Sequence, residues 1–164
     1  MSVTINNYKE VNSFLKENMI DTILYGSLGV SVYLGNFRLF DDIDLLVPND
    51  YINKKWGYLK QIMTSHGFFI SDEHEHEFKN QSGVKVAFAS QNVLLEDDIC
   101  DPQKDRVIVQ VGDVTVQTIT KEGFIKAYTF SSTDGYRLEK RDDSDLQIVQ
   151  KLKSLTKSFL TSKT

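Results

Sequence analysis

The chain has 164 residues, 40% of them hydrophobic and 26% charged, with 23 acidic against 19 Lys and Arg side chains and a formal net charge of −4. This is the length of one soluble globular domain with a substantial core, and the acidic balance gives no general reason for tight duplex nucleic-acid binding, leaving only a local basic groove. One cysteine, Cys100, excludes an internal disulfide and suits a cytoplasmic protein; the polar stretch Met1 to Glu10 is no signal peptide, and no run reaches membrane-spanning length.

Tyr8, Val11, Phe14 and Leu15 recur at helical spacing and predict an amphipathic helix over Asn7 to Glu17. Thr22 to Tyr25 is a short apolar strand that stops at Gly26-Ser27. Ser27 is expected as the N-cap of a short helix, Leu28 to Leu34, ending near Gly35. Ile43 to Val47 is a second strand, stopped by Pro48. A longer helix, Tyr51 to Ser65, carries Ile52, Trp56, Leu59, Ile62 and Met63 on one face, with Gly67 as its terminator. Phe68 to Ile70 reads as a short edge strand. Glu73 to Lys79 and Val84 to Ser90 flank the turn residues Asn80-Gln81-Ser82-Gly83, which predicts a hairpin. Leu94 to Arg106 is less regular, and Pro102 argues against one helix through it. Val107 to Val111 and Val114 to Ile119 enclose Gly112-Asp113 as a second hairpin. Lys121 to Phe130 and Asp145 to Leu160 close the chain as helices, with Phe124, Tyr128 and Phe130 expected in the core. No repeat, low-complexity segment or linker divides the chain. The fold class expected is α+β (mixed α/β), a small twisted mixed sheet flanked by helices. The whole of 1–164 reads as one domain, with a sheet-containing core over 1–120 and C-terminal helices over 121–164.

Asp41-Asp42-Ile43-Asp44 opens the second strand, and carboxylates are costly to bury unless something pairs with them. Alternation along a strand puts Asp42 and Asp44 on one face and turns Ile43 and Leu45 to the other. Two carboxylates sharing a face repel unless a cation lies between them, and Mg²⁺ is commonly held by one or two carboxylates plus substrate phosphates. Gly26 lets a ligand approach the backbone, and the helix after it offers free N–H groups to an anion. The bland alternative is a solvated strand start with an ordinary capped helix.

The run of hydrophobic strand, Gly26-Ser27, a spacer, then Asp42-Ile43-Asp44-Leu45-Leu46-Val47 resembles the signature of the polymerase-β-like nucleotidyltransferase superfamily. It is most similar to the small bacterial toxin and antibiotic-nucleotidyltransferase members. Arg38, Lys126 and Lys140-Arg141-Asp142-Asp143-Ser144-Asp145-Leu146 are similar to their flanking positions. The resemblance implies a nucleotidyltransferase-like fold and metal-dependent transfer of a nucleoside monophosphate from a nucleoside triphosphate to an acceptor hydroxyl, on a small molecule, an RNA end or a protein. It implies Asp42 and Asp44 as ligands of Mg²⁺ or Mn²⁺, and Gly26, Ser27, Arg38 and Lys126 as nucleotide and phosphate contacts.

The family's third carboxylate belongs on a later strand, where Val84 to Ser90 carries no acid and Ala87 stands in its place. Such a group usually serves as general base or metal ligand, and its loss should be costly unless replaced. If the hairpin turns symmetrically about Gln81-Ser82, His76 faces Ala87; a one-residue slip brings Glu75 and Glu77 to that face instead. A protein lacking any replacement would bind nucleotide or a partner without turnover. His74 and His76 alternate as a zinc pair would, but with no clear third ligand. Cys100 has no visible base partner.

Overall fold

The computed structural model describes residues 4–35, 40–132 and 144–162. The first helix, α1 (Ile5–Glu17), begins two residues earlier than its apolar spacing predicts, because Thr4 and Asn7 form a capping box. The Thr4 hydroxyl accepts from the Asn7 amide, and the Asn7 side chain accepts from the Thr4 amide at 2.8 Å. A three-residue strand, β1 (Ile23–Tyr25), runs directly into α2 (Gly26–Leu34), and β2 (Ile43–Val47) returns alongside it. A 3₁₀ turn (Asn49–Ile52) then leads to α3 (Trp56–Ser65). The single helix expected from Tyr51 is therefore a turn and a shorter helix, since Asn53 breaks the helical backbone between them.

Three antiparallel strands follow: β3 (Phe69–Asp72), β4 (Glu77–Lys79) and β5 (Lys85–Ser90). After α4 (Asn92–Glu96) comes the hairpin β6 (Arg106–Val111) and β7 (Val114–Ile119), then α5 (Lys121–Ser132) and α6 (Ser144–Ser162). The seven strands form one mixed sheet in the order β3-β4-β5-β2-β1-β7-β6. The β2–β5 and β1–β7 pairs are parallel and the others antiparallel.

Strand alternation sorts the buried residues onto two faces. Leu24, Ile43, Leu45, Val86 and Val116 pack with α1 and α3 in one core. Ile23, Leu46 and Ile119 pack with Leu94, Phe124 and Leu152 of α4, α5 and α6 in another. The central strands β1 and β2 are covered on both sides, so β2 reads as an almost unbroken apolar run. Asp44 interrupts that run and points to the α4–α5 side. Of the aromatic residues expected in the core of α5, Phe124 is buried completely, but Phe130 is 47% exposed, at the solvent side of the helix. Among the described residues no helix is long and apolar enough to cross a membrane.

One polar cluster ties the far end of the sheet together. Asp21, just before β1, accepts hydrogen bonds from Arg106 Nη1 (3.0 Å), Gln117 Nε2 (2.8 Å) and Gln91 Nε2 (3.0 Å). Burial alone would raise its pKa, but those hydrogen bonds and the Arg106 charge outweigh it, and the carboxyl is held below its ordinary range.

Candidate active site

The opposite end of β1 and the start of β2 meet at Gly26 and Asp44. Register pairs Tyr25 with Asp44, Asp44 with Ala87, and Ala87 with Glu77, so one row across four strands reads Tyr25, Asp44, Ala87, Glu77. Residues in one such row project from the same sheet face. Glu77 therefore stands across Ala87 from Asp44, the outcome of the one-residue slip and not of the symmetric turn. The reason lies in the loop. Lys79 pairs with Lys85 across five residues, Asn80 to Val84, because the Asn80 side chain accepts from the Val84 amide and Gly83 takes a left-handed φ of 86°.

His76, the residue expected opposite Ala87, sits in the turn before β4 with φ 52° and rests its ring edge-on against Trp56 at 4.6 Å. His74 is exposed in the same turn, and Glu75 lines the cavity described below. Ser71 on β3 donates to Glu77 Oε1 at 2.8 Å and orients that carboxylate. The alternation that would have aligned the two histidines is broken at the turn.

Gly26 has φ 64°, and a Cβ built there would lie 2.1 Å from Asp44 Oδ2. The carboxylate thus occupies the space that any other residue at this position would fill. The helix cap is Tyr25 and not Ser27, and it makes no side-chain hydrogen bond to the helix. Ser27 is exposed as the second helical residue, and the first amides of α2, which have no partner within the helix, start at Gly26 against Asp44.

Burial and neighbouring carboxylates raise Asp44 and Asp42. Burial and then the charges of Asp42 and Glu77 push Asp44 up to about 7. Burial, Glu77 and Asp41 raise Asp42, with Lys85 opposing. Lys85, two residues before Ala87 on β5, shares its face; sequence reasoning passed over it, although its alternation with Ala87 was readable. Among the described residues, no three His, Cys, Asp or Glu side chains close tightly around one ion. Asp42 and Asp44 nevertheless suit a hard cation completed by water and phosphate oxygens, since like charges this close are relieved by exactly such a partner. They do not suit zinc, which prefers a closed set of nitrogen and sulfur ligands.

A cavity of about 350 Å³ opens beside this row. Its floor is Ala87 and Ala89, whose small side chains leave room above β5, and its far wall is Tyr25, Val93, Ala127 and Tyr128. Tyr25 is stacked on Phe124 at 5.6 Å, and its hydroxyl pKa is raised by burial first, then by Tyr128 and other neighbours. Asp44 and Glu75 line the cavity's acidic side. Lys126 precedes Ala127 on α5, is exposed, and acts on Cys100, whose thiol is pushed up to about 11 by burial against that influence. Arg38 and Lys140 to Asp143 lie outside the described residues.

No protein-family model matches the chain. The uncharacterized protein YnaI of Bacillus subtilis (strain 168) is 35% identical over 146 residues, a match covering 85% of this chain and 90% of that protein. Among solved structures, the lincosamide antibiotic adenylyltransferase LnuA bound to lincomycin superimposes with a TM-score of 0.65, at 19% identity, over 94% of this chain and 99% of that one. An antigenic nucleotidyltransferase-like protein from Paracoccidioides brasiliensis gives 0.61 at 14% identity, over 93% and 78% of the two chains. The solution structure of the antibiotic-resistance factor ANT(2'')-Ia gives 0.57 at 15%, over 94% and 89%. The chain belongs to the family of YnaI, and its fold is the one seen in these nucleotidyltransferase structures.

Proposed function

We propose that this protein transfers a nucleoside monophosphate from a nucleoside triphosphate to a hydroxyl of a small molecule, with Asp42 and Asp44 holding Mg²⁺ or Mn²⁺. The observation that carries this reading is the row Tyr25, Asp44, Ala87, Glu77, which sets Asp44 and Glu77 on either side of Ala87 on one sheet face, with Asp44 against Gly26 at the start of α2. The cavity is of small-molecule size. LnuA is bound to lincomycin, and ANT(2'')-Ia has been solved in complex with adenylyl-2''-tobramycin.

The roles follow from the chemistry of each group. The amides of Gly26 and Ser27 at the start of α2 take the terminal phosphates, where the helix end favours negative charge. A bound divalent ion would neutralise charge on the triphosphate and on the leaving pyrophosphate. Glu77, held by Ser71, accepts the proton of the acceptor hydroxyl. The hydroxyl oxygen bonds to the α-phosphorus, the bond from that phosphorus to the bridging oxygen breaks, and pyrophosphate leaves with the electron pair. Tyr25 and Tyr128 bound the acceptor's cavity and exclude water from it.

A second reading, nucleotide binding without turnover, is favoured by Ala87, which leaves β5 without the family's acid. Metal-dependent stabilisation by ATP, CTP, GTP and UTP, followed by transfer of labelled nucleotide to candidate acceptors, separates the two. Transfer is expected to disappear in Asp42→Ala and Asp44→Ala. Metal-dependent binding with no transfer would establish the second reading, and transfer surviving both substitutions would overturn the first.

A further inference from the structure

The strand β6 ends the sheet, and among the described residues nothing hydrogen-bonds to its outer edge. Its sequence, Arg106-Val107-Ile108-Val109-Gln110-Val111, holds no proline, glycine or lysine, and its pairing with β7 runs through all six positions without a bulge. Exposed edges are normally blunted by shortness, bulges, proline or inward charge. The other edge, β3, follows that rule: it has four residues, a bulge between Ile70 and Asp72, and an acid at its end. The β6 edge has no bulge, proline or shortness to blunt it; its one charge, Arg106, stands at the first position and is neutralised by Asp21, and at its centre Ile108 is 70% exposed.

The hairpin geometry says which backbone groups are free. Val111 pairs with Val114 across the two-residue loop Gly112-Asp113, with Gly112 at φ 61°, as a tight hairpin requires. In such a hairpin the residues flanking the loop exchange both hydrogen bonds, and the pattern alternates from there. The amides and carbonyls of Val111, Val109 and Val107 therefore face β7. Those of Gln110, Ile108 and Arg106 face out.

We propose that this edge is an interface between two copies of the chain, joined β6 to β6 in antiparallel about a two-fold axis through Ile108. A two-fold axis normal to the sheet keeps each side chain on its own face; an axis at Val107 sets Gln110 against Lys104 and one at Val109 sets Arg106 against Gly112, beyond the ends of the partner strand, which leaves the residues whose backbone groups point outward. Of the three candidates, an axis at Arg106 sets guanidinium against guanidinium. An axis at Gln110 runs the second strand into the Gly112-Asp113 turn. At Ile108 the two isoleucines meet and cover each other, Val107 lies against Val109, and Arg106 lies against the neutral Gln110. Arg106 is already paired with Asp21 of its own chain, so no unpaired charge is buried. The outward groups of Arg106, Ile108 and Gln110 then all find partners, in a sheet continuous through both copies. The candidate active site lies at β1, β2 and β5, away from this edge, and the interface does not depend on its chemistry.

Sedimentation or light scattering across the micromolar range is expected to give twice the 18.8 kDa of one chain. Ile108→Lys, which places two like charges on the axis, should return the mass to that of one chain, as should Ile108→Pro, which removes an outward amide and leaves the β7 ladder intact. In the unaltered protein, amide exchange at Arg106, Ile108 and Gln110 should slow as concentration rises, while Val107 and Val109 stay protected throughout. A single-chain mass at every concentration would overturn the proposal, including the case where the edge serves a strand of another protein. So would a dimer that survives both substitutions, or one that leaves the three outward amides exchanging freely.

Discussion

Glu77 supplies the sharpest test of how this site is built. Adjacent strands lie about 4.8 Å apart, so the two steps from Asp44 through Ala87 to Glu77 separate the backbones by roughly 10 Å, with both side chains on one face. At an effective dielectric of about 20, two charges at that separation interact by roughly 1.7 kcal/mol, equivalent to about one pH unit in a carboxyl's titration. Glu77→Gln removes that charge. Asp44, pushed up to about 7 partly by Glu77, should then titrate up to about one unit lower in metal-free protein, as read from carboxyl carbon shifts. Turnover should fall by about 10²–10⁴, the usual worth of a general base, with nucleotide affinity little changed. Glu75→Gln, altering a cavity carboxylate that does not figure among the charges raising Asp44, is the control. Adding Ala87→Asp to Glu77→Gln returns an acid to the same face one strand nearer, and should restore part of the lost rate. If Glu77→Gln keeps full turnover, or if Asp44 titrates unchanged in it, the assignment of the third carboxylate to β4 is wrong.

Three further outcomes follow from the same coordinates. Gly26→Ala meets both a left-handed backbone, at about 1–2 kcal/mol, and the Asp44 carboxylate; it should lower the melting temperature and abolish metal-dependent stabilisation by nucleotide. Gly35→Ala, equally left-handed but with nothing within 4 Å, should carry only the backbone cost and keep the nucleotide response. Asp44 has a folded pKa above its unfolded one, so its contribution to stability is present below about pH 4 and lost as pH rises towards about 7; at about 1.4 kcal/mol per unit the full effect is at most about 4 kcal/mol. Denaturant titrations of metal-free protein should show that decline, and Asp44→Asn should flatten it. Asp21 is the reverse case: its pKa is held down, so its stabilisation is present above the unfolded carboxylate range and lost as pH falls through the folded value. Asp21→Ala also strips Arg106 of its partner beside an Nη2 already unpaired, and should cost about 1–3 kcal/mol in urea unfolding, discounted because Asp21 is partly exposed.

Much of this was legible before the fold was known, and what was not has identifiable causes. The Asp42/Asp44 face could be read because β2 is apolar on both sides, so alternation alone fixes which residues share a face. Both hairpins were readable from their turn residues. The start of α2 was misplaced by two residues because Gly26 at φ 64° joins the helix directly to Tyr25, a connection that the preference of Ser27 for capping does not reveal. The cavity was out of reach, since it depends on Val93, Ala127 and Tyr128 of two helices arriving above Ala87 and Ala89. Asp21 and Lys85 were passed over because their partners, at Arg106 and Asp42, are far off along the chain.

The register of β4 shows how little separates a built site from an empty one. A four-residue loop would have centred the hairpin between Gln81 and Ser82 and put His76 opposite Ala87. Asn80 instead holds the Val84 amide, Gly83 accommodates the reversed φ, and the loop takes five residues. One extra loop residue turns every β4 side chain to the other face. Phe78 goes into the α1–α3 core, fully buried, and Glu77 goes to the face of Asp44. The apolar demand of that core and the acidic demand of the site are met by the same register: a His76 facing Ala87 would have put the Phe78 ring over the aspartates and the Glu77 carboxylate into the core. Core packing therefore fixes the position of Glu77 whether or not chemistry uses it, and only the paired Glu77→Gln and Ala87→Asp measurements distinguish a recruited carboxylate from a carboxylate placed there by Phe78.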